Sequence, residues 1–252
     1  MLWSAQLEDQ LHSVNIHPEF DLAAVGLTKA KWLVYDIAER KVVFTQVEGT
    51  EQIEVIKYSP NGQYLAVGSR DNFIYVYNVG DNGLKYSRIG KCSGHSSFIT
   101  HIDWSSESEY LMTNSGDYEV LFWQASSCKQ ITQVQQIREI KWENNSCILS
   151  FNTLGIWNSS DVANSSGGST SMDGTDINGC YGSSANNLLA TVDDFGKLNL
   201  FTYPCGSFKA EKRVYNGHSS HVTNVTFVNN DSRIVTTGGN DMSVFQWTIN
   251  TE

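Results

Sequence analysis

One phrase occurs twice in this chain: Gly94-His95-Ser96-Ser97 leading to Asp117 and Trp123, and, 123 residues further on, Gly217-His218-Ser219-Ser220 leading to Asp241 and Trp247. Self-similarity over such a distance marks a repeat architecture, in which each unit buries its apolar face only by stacking on a neighbour. The chain is therefore read first as a ladder of units.

The units are pairs of short apolar runs joined by polar turns. Leu65-Ala66-Val67-Gly68 precedes the turn Arg70-Asp71-Asn72 and the run Phe73-Ile74-Tyr75-Val76-Tyr77. Similar pairs lie at 111–123, 188–201 and 234–247, with a weaker copy at 22–35. Alternation bounded by Gly, Asn, Asp and Ser, with no sustained helical period, predicts an all-β fold. Aligning the closing aromatics gives Trp3, Tyr35, Tyr77, Trp123, Trp157, Phe201 and Trp247, in steps of 32, 42, 46, 34, 44 and 46. Most steps approach the roughly 40–45 residues of a four-stranded WD-repeat propeller blade. The expectation is a WD-repeat β-propeller of about six blade units over residues 1–252, one of them the degenerate unit that closes at Trp157, and the ring incomplete.

Within that single domain, residues 158–172 (NSSDVANSSGGSTSM) are too polar to offset their ordering entropy and are expected to form a flexible insertion. Leu2–Leu7 reads either as a strand that closes the last blade or as the end of a preceding blade. The second reading makes the chain a piece of a larger protein.

The balance of 17 Lys and Arg against 27 Asp and Glu gives a formal charge of −10, with no basic run. Nucleic acid and anionic membrane are excluded as partners on that ground. Five scattered cysteines form no Cys-x-x-Cys pair and read as reduced thiols. The N-terminus lacks the basic start and apolar run of a signal peptide, so the expected location is the cytoplasm.

The doubled phrase places an imidazole, a hydroxyl, a carboxylate and an indole at repeated positions: His95, Thr113, Asp117 and Trp123, then His218, Thr237, Asp241 and Trp247. Such a set invites a catalytic triad, but its duplication argues against a single active site. In a WD-repeat blade the same groups tie strands together through buried hydrogen bonds, and that structural role is expected here. No acid, base and nucleophile converge in the sequence, so no enzyme and no cofactor are expected. The pairs His218/His221 and His95/His101 have no Cys or carboxylate set at ligand spacing, so no metal is expected either. Phe98, Tyr118, Phe195 and Asn240 flank the turns and are the candidates for a partner-binding rim.

Several phrases carry a narrower resemblance. Gly94-His95-Ser96-Ser97-Phe98-Ile99-Thr100-His101, Asn114-Ser115-Gly116-Asp117-Tyr118-Glu119, Leu154-Gly155-Ile156-Trp157, Asp193-Asp194-Phe195-Gly196-Lys197, Tyr203-Pro204-Cys205 and Gly217-His218-Ser219-Ser220-His221-Val222-Thr223-Asn224 occur in this order. Together they resemble the second, C-terminal propeller of the echinoderm microtubule-associated protein-like family. The resemblance implies a cytoskeletal scaffold that binds tubulin or microtubule-associated partners through its loops, in the context of a longer protein. This chain lacks the coiled coil, basic region and hydrophobic motif of that family's layout. A generic WD-repeat adaptor in a ubiquitin-ligase or signalling assembly is the alternative.

Overall fold

The structure is a computed structural model that describes residues 4–157, 177–183, 186–207 and 210–250. The insertion at 158–172 and the first anchor, Trp3, lie outside the described residues. The chain divides into two compact units, Met1–Glu143 and Asn144–Glu252.

The first unit holds three four-stranded antiparallel meanders. They are β1–β4 (Leu11–Ile16, Leu22–Leu27, Lys31–Asp36, Lys41–Val47), β5–β8 (Ile53–Tyr58, Tyr64–Ser69, Phe73–Gly80, Lys85–Ser93) and β9–β12 (Ile99–Trp104, Tyr110–Ser115, Val120–Gln124, Lys129–Gln130). The second unit holds β13–β16 (Ile177–Gly182, Leu188–Asp193, Lys197–Thr202, Lys212–Asn216) and a sheet of three strands among the described residues, β17–β19 (Val222–Val228, Arg233–Gly238, Val244–Thr248).

Second strands such as Leu65-Ala66-Val67-Gly68 are buried on both faces, whereas the polar fourth strand β16 is exposed throughout. Apolar runs without alternation thus become inner strands, and polar runs become outer ones. Consecutive sheets stack within each unit. Trp32 and Val34 of the first sheet pack with Ile53, Ile56 and Leu65 of the second, and Ala66 and Ile74 of the second pack with Ile99, Trp104 and Trp123 of the third. Ala190 and Val192 likewise meet Val222, Val225 and Phe227 in the second unit.

Five of the expected aromatic anchors close the third strand of a sheet, in matching register: Ala23 pairs with Tyr35, Leu65 with Tyr77, Leu111 with Trp123, Leu189 with Phe201, and Ile234 with Trp247. The described residues form five blade sheets, which corrects the expected count of about six. The degenerate unit closing at Trp157 makes none. Residues 131–157 instead contain a four-residue helix, α1 (Val134–Ile137), one isolated bridge between Ser105 and Trp142, and a 3-10 turn at Leu154–Ile156.

The physical reason is local. The apolar runs around Trp142 and Ile148 are separated by Asn144-Asn145-Ser146 and lack an Asp-led hairpin turn. Trp157 donates its indole N–H to the Ile148 carbonyl at 3.0 Å, and Thr153 Oγ1 donates to the same oxygen at 3.0 Å, so the anchor closes a turn and not a strand pair. Over Ser4–Leu7 no strand forms. Leu7 packs instead on Val25, Leu27 and Leu33.

Candidate functional site

In an antiparallel meander the turn joining the second and third strands shares one end of the sheet with the segment that enters the first strand. The doubled phrase sits at that end. In the third sheet Ser115 pairs with Ile99, and the Gly116 N–H donates to the Phe98 carbonyl at 2.9 Å, which brings the Asp117 turn beside the Gly-His segment. Gly94 and Gly217 are required by close approach: a Cβ at either would lie 2.9 or 2.8 Å from the ring of Trp123 or Trp247.

Three side chains then connect across the third sheet. His95 Nε2 lies 2.8 Å from Thr113 Oγ1, Trp123 Nε1–H donates to the same oxygen at 2.9 Å, and the Thr113 hydroxyl donates to the Leu121 carbonyl at 3.3 Å. Thr113 thus joins the imidazole, the indole and the strand backbone at one oxygen. His95 Nδ1 is buried without a hydrogen-bond partner and stands 3.6 Å from Asp117 Oδ2. Burial lowers the His95 pKa, outweighing the opposing pull of Asp117 and Glu119.

Asp117 is held elsewhere. It accepts from the Ser96 N–H at 2.8 Å, the Ser96 hydroxyl at 3.1 Å, the Glu119 N–H at 2.9 Å and the Ser115 hydroxyl. Burial alone would raise its pKa, but these donors hold the carboxyl well below the usual range.

The fifth sheet has the same parts with a different outcome. His218 Nε2 lies 2.8 Å from Thr236 Oγ1, which accepts Trp247 Nε1–H at 3.0 Å, and His218 Nδ1 lies 2.9 Å from both Asp241 Oδ2 and Ser243 Oγ. Here the threonine hydrogen is available to Nε2, and the imidazole proton sits on Nδ1 facing Asp241. The His218 ring also stacks on Phe245, 4.3 Å between centroids. Against the upward push of burial, donors led by His218 hold Asp241 at about 2.

The hydroxyl in this sheet is that of Thr236, which corrects the expected Thr237. Counting ten residues back from the tryptophan gives Thr113 in one copy and Thr237 in the other, but the turn Gly238-Gly239-Asn240 is one residue longer than Ser115-Gly116. The ladder confirms the shift, since Thr113 pairs with Leu121 and Thr236 with Phe245. Counting 18 residues forward from each histidine would have found both. Thr236 is fully buried, whereas Thr237 bonds Thr223 at the surface, Oγ1 to Oγ1 2.9 Å.

Two further turn carboxylates escaped the sequence reading. Asp71 accepts from Tyr75 Oη at 2.7 Å, and Asp193 accepts from Asn199 Nδ2 at 3.1 Å. The signal was available for Asp71, which lies six residues before its anchor as Asp117 and Asp241 do.

Of the rim candidates, Tyr118, Phe195 and Asn240 are exposed, and Phe98 is half-buried. All four occupy turn ends, Phe98 and Tyr118 in the first unit, Phe195 and Asn240 in the second. The Arg70 guanidinium lies 5.1 Å from the Phe98 ring and the Lys197 ammonium 5.6 Å from that of Phe195. The structure also brings together a set that spacing alone had excluded: a ring nitrogen of His95 and carboxylate oxygens of Asp117 and Glu119 lie within 4.8 Å of one another. Hairpin geometry supplies Glu119 from across the turn, and no count of residues from the histidine reveals it.

The family profile described as the echinoderm microtubule-associated protein second beta-propeller matches residues 1–249. The chain belongs to this family. Over 248 residues it is 47% identical to echinoderm microtubule-associated protein-like 1 of Homo sapiens and 48% identical to echinoderm microtubule-associated protein-like 2 of Rattus norvegicus. It is 44% identical to the 77 kDa echinoderm microtubule-associated protein of Strongylocentrotus purpuratus over 248 residues. Each match covers 98% of this chain but 29%, 36% and 34% of the respective relative, so the chain spans about a third of their length. A chain in the crystal structure of a mitotic checkpoint complex superposes with a TM-score of 0.72 at 17% identity, covering 98% of this chain and 77% of that one. At that identity the likeness is one of fold, and the fold is the all-β propeller.

Proposed function

We propose that this chain is a non-catalytic interaction module that engages tubulin or microtubule-bound proteins through the turn ends of its blade sheets, as one part of a longer cytoplasmic, cytoskeletal protein. The observation that carries this reading is the family match over 1–249, to relatives named as microtubule-associated. The site is consistent with it. Histidine, threonine and tryptophan are bonded to one another across the strands in both copies, as braces are, and those strands carry exposed aromatic turns.

Charge shapes how such binding works. A chain of net charge −10 is repelled by an acidic partner surface, so recognition depends on local patches. Arg70 beside Phe98 and Lys197 beside Phe195 supply cation and aromatic together at the turn ends.

The test is co-sedimentation of the full-length protein with microtubules and its gel filtration with dimeric tubulin, comparing the native sequence with Tyr118→Ser/Phe195→Ser. A loss of binding of about fivefold or more, at unchanged melting temperature, is expected. Neither co-sedimentation nor co-elution by the native protein would remove the tubulin assignment. Equal binding by the double variant would move the contact away from these turns.

A further inference from the structure

We propose that Cys128 and Cys92 form a reversible oxidation site, in which a peroxide oxidises the Cys128 thiol and Cys92 then closes a disulfide from the third sheet to the second.

The two cysteines lie far apart in the sequence and are brought together by sheet stacking within the first unit. Cys92 sits on β8, the outer strand of the second sheet, and is fully buried among Ile74, Val76, Trp104 and Trp123. Cys128 sits in the turn between β11 and β12 and packs against that same cluster. The backbone of β8 makes room for it. Gly90 and Cys92 pair with Val76 and Ile74, so they share one face of the strand, and a Cβ at Gly90 would stand 3.2 Å from Cys128 Sγ. The Cys92 and Cys128 side chains are hydrogen-bonded to one another, and both are free thiols.

The pair divides the chemistry that a disulfide needs. Cys128 is partly exposed and can meet a small oxidant, whereas Cys92 is fully buried. The hydrogen bond from Cys92 and the charge of Arg88 draw the Cys128 pKa down against the opposing effect of burial. The same hydrogen bond, together with burial, pushes Cys92 up. Cys128 is thus the attacking thiolate and Cys92 the protonated, resolving thiol. Neither 85–93 nor 124–130 contains an acidic residue, and Lys91 and Lys129 adjoin the two cysteines in the chain. Cys147, Cys180 and Cys205 are all buried.

The steps balance. The Cys128 thiolate attacks one peroxide oxygen, the O–O bond breaks, and the leaving hydroxide takes a proton from solvent to become water. Sulfur is oxidised to the sulfenic acid and the peroxide is reduced. The Cys92 sulfur then attacks the Cys128 sulfur, the S–O bond breaks, and the departing hydroxide takes the Cys92 proton, so a second water leaves. A small thiol such as glutathione reverses the bond by exchange. Strand β12 is only two residues long, Lys129–Gln130, and exposed, so the turn that carries Cys128 can adjust to disulfide geometry.

The test treats the reduced full-length protein with stoichiometric hydrogen peroxide, blocks the remaining thiols by alkylation and maps the peptides by mass spectrometry. The expected product is a Cys92–Cys128 linked peptide pair, two hydrogens lighter than its reduced parts and released by dithiothreitol. Cys128 should be oxidised on the order of tenfold or more faster than Cys147, Cys180 and Cys205. Cys92→Ala should stop the reaction at a Cys128 sulfenic acid, trapped by dimedone, and Cys128→Ser should leave Cys92 unoxidised. The native protein needs no variant for the peptide map, so a folding defect in Cys92→Ala leaves the test intact. Oxidation of Cys128 no faster than that of the buried cysteines, a disulfide from Cys128 to any other cysteine, or equal dimedone labelling of the native and Cys92→Ala proteins would each overturn the assignment.

Discussion

The third and fifth sheets are built from one recipe, a histidine before the first strand, a threonine in the second, an aspartate in the turn and a tryptophan in the third. They differ in what surrounds the imidazole. In the fifth sheet the Thr236 hydroxyl, the Asp241 carboxylate and the Ser243 hydroxyl occupy both ring nitrogens, and Phe245 covers the ring. In the third, Thr113 Oγ1 also lies 3.3 Å from the Leu121 carbonyl, a leucine stands where the phenylalanine would be, and Nδ1 stands 3.6 Å from the Asp117 carboxylate. Two sequence differences, Ser to Glu two residues after the aspartate and Phe to Leu beside the ring, thus accompany a histidine–aspartate approach of 2.9 Å in the fifth sheet and 3.6 Å in the third. Identical motif letters do not guarantee identical hydrogen bonding.

Removing the imidazole breaks this comparison most directly. His218→Ala removes one hydrogen-bond partner each from Thr236, Asp241 and Ser243 and forfeits the stack on Phe245. A loss of about 2–4 kcal/mol in urea unfolding is expected. His95→Ala should cost about 1 kcal/mol less, because only Nε2 of that ring lies within hydrogen-bond distance of a partner. Equal costs would mean that the two networks are energetically the same.

The threonine pair sharpens the same contrast at smaller scale. Thr236→Val orphans the Trp247 indole N–H and His218 Nε2 in a fully buried position and should cost about 2 kcal/mol. Thr237→Val removes only a surface hydrogen bond to Thr223 and should stay within about 0.5 kcal/mol. A larger loss from Thr237→Val would contradict the register of the fifth sheet.

That register shows how much was legible in the sequence. Third-strand anchors, inner strands and the aspartates of the doubled phrase follow from alternation and spacing, because each blade repeats one local pattern. Thr236 was missed because one extra turn residue shifts a count taken from the tryptophan and leaves a count taken from the histidine intact. The unit closing at Trp157 was counted as a degenerate blade because an aromatic recurs 34 residues after Trp123, although the turn that folds a hairpin is missing. Trp157 spends its N–H on Ile148 instead. Glu119 was invisible for a third reason: its proximity to His95 exists only once the β10–β11 turn closes against the Gly-His segment.

The smallest effect lies in the turn backbone. Tyr118 has φ of 62° and Met242, one residue after the other aspartate, φ of 48°, so both copies hold a side-chain-bearing residue in the left-handed region. Glycine relieves that strain but adds entropy to the unfolded chain, and the two effects partly cancel. Tyr118 is 56% exposed and Met242 91%, so neither replacement forfeits much burial. Tyr118→Gly and Met242→Gly should each change stability by less than about 1 kcal/mol, in the stabilising direction. A clear destabilisation by Tyr118→Gly alone would mean that the tyrosine ring braces the third-sheet turn.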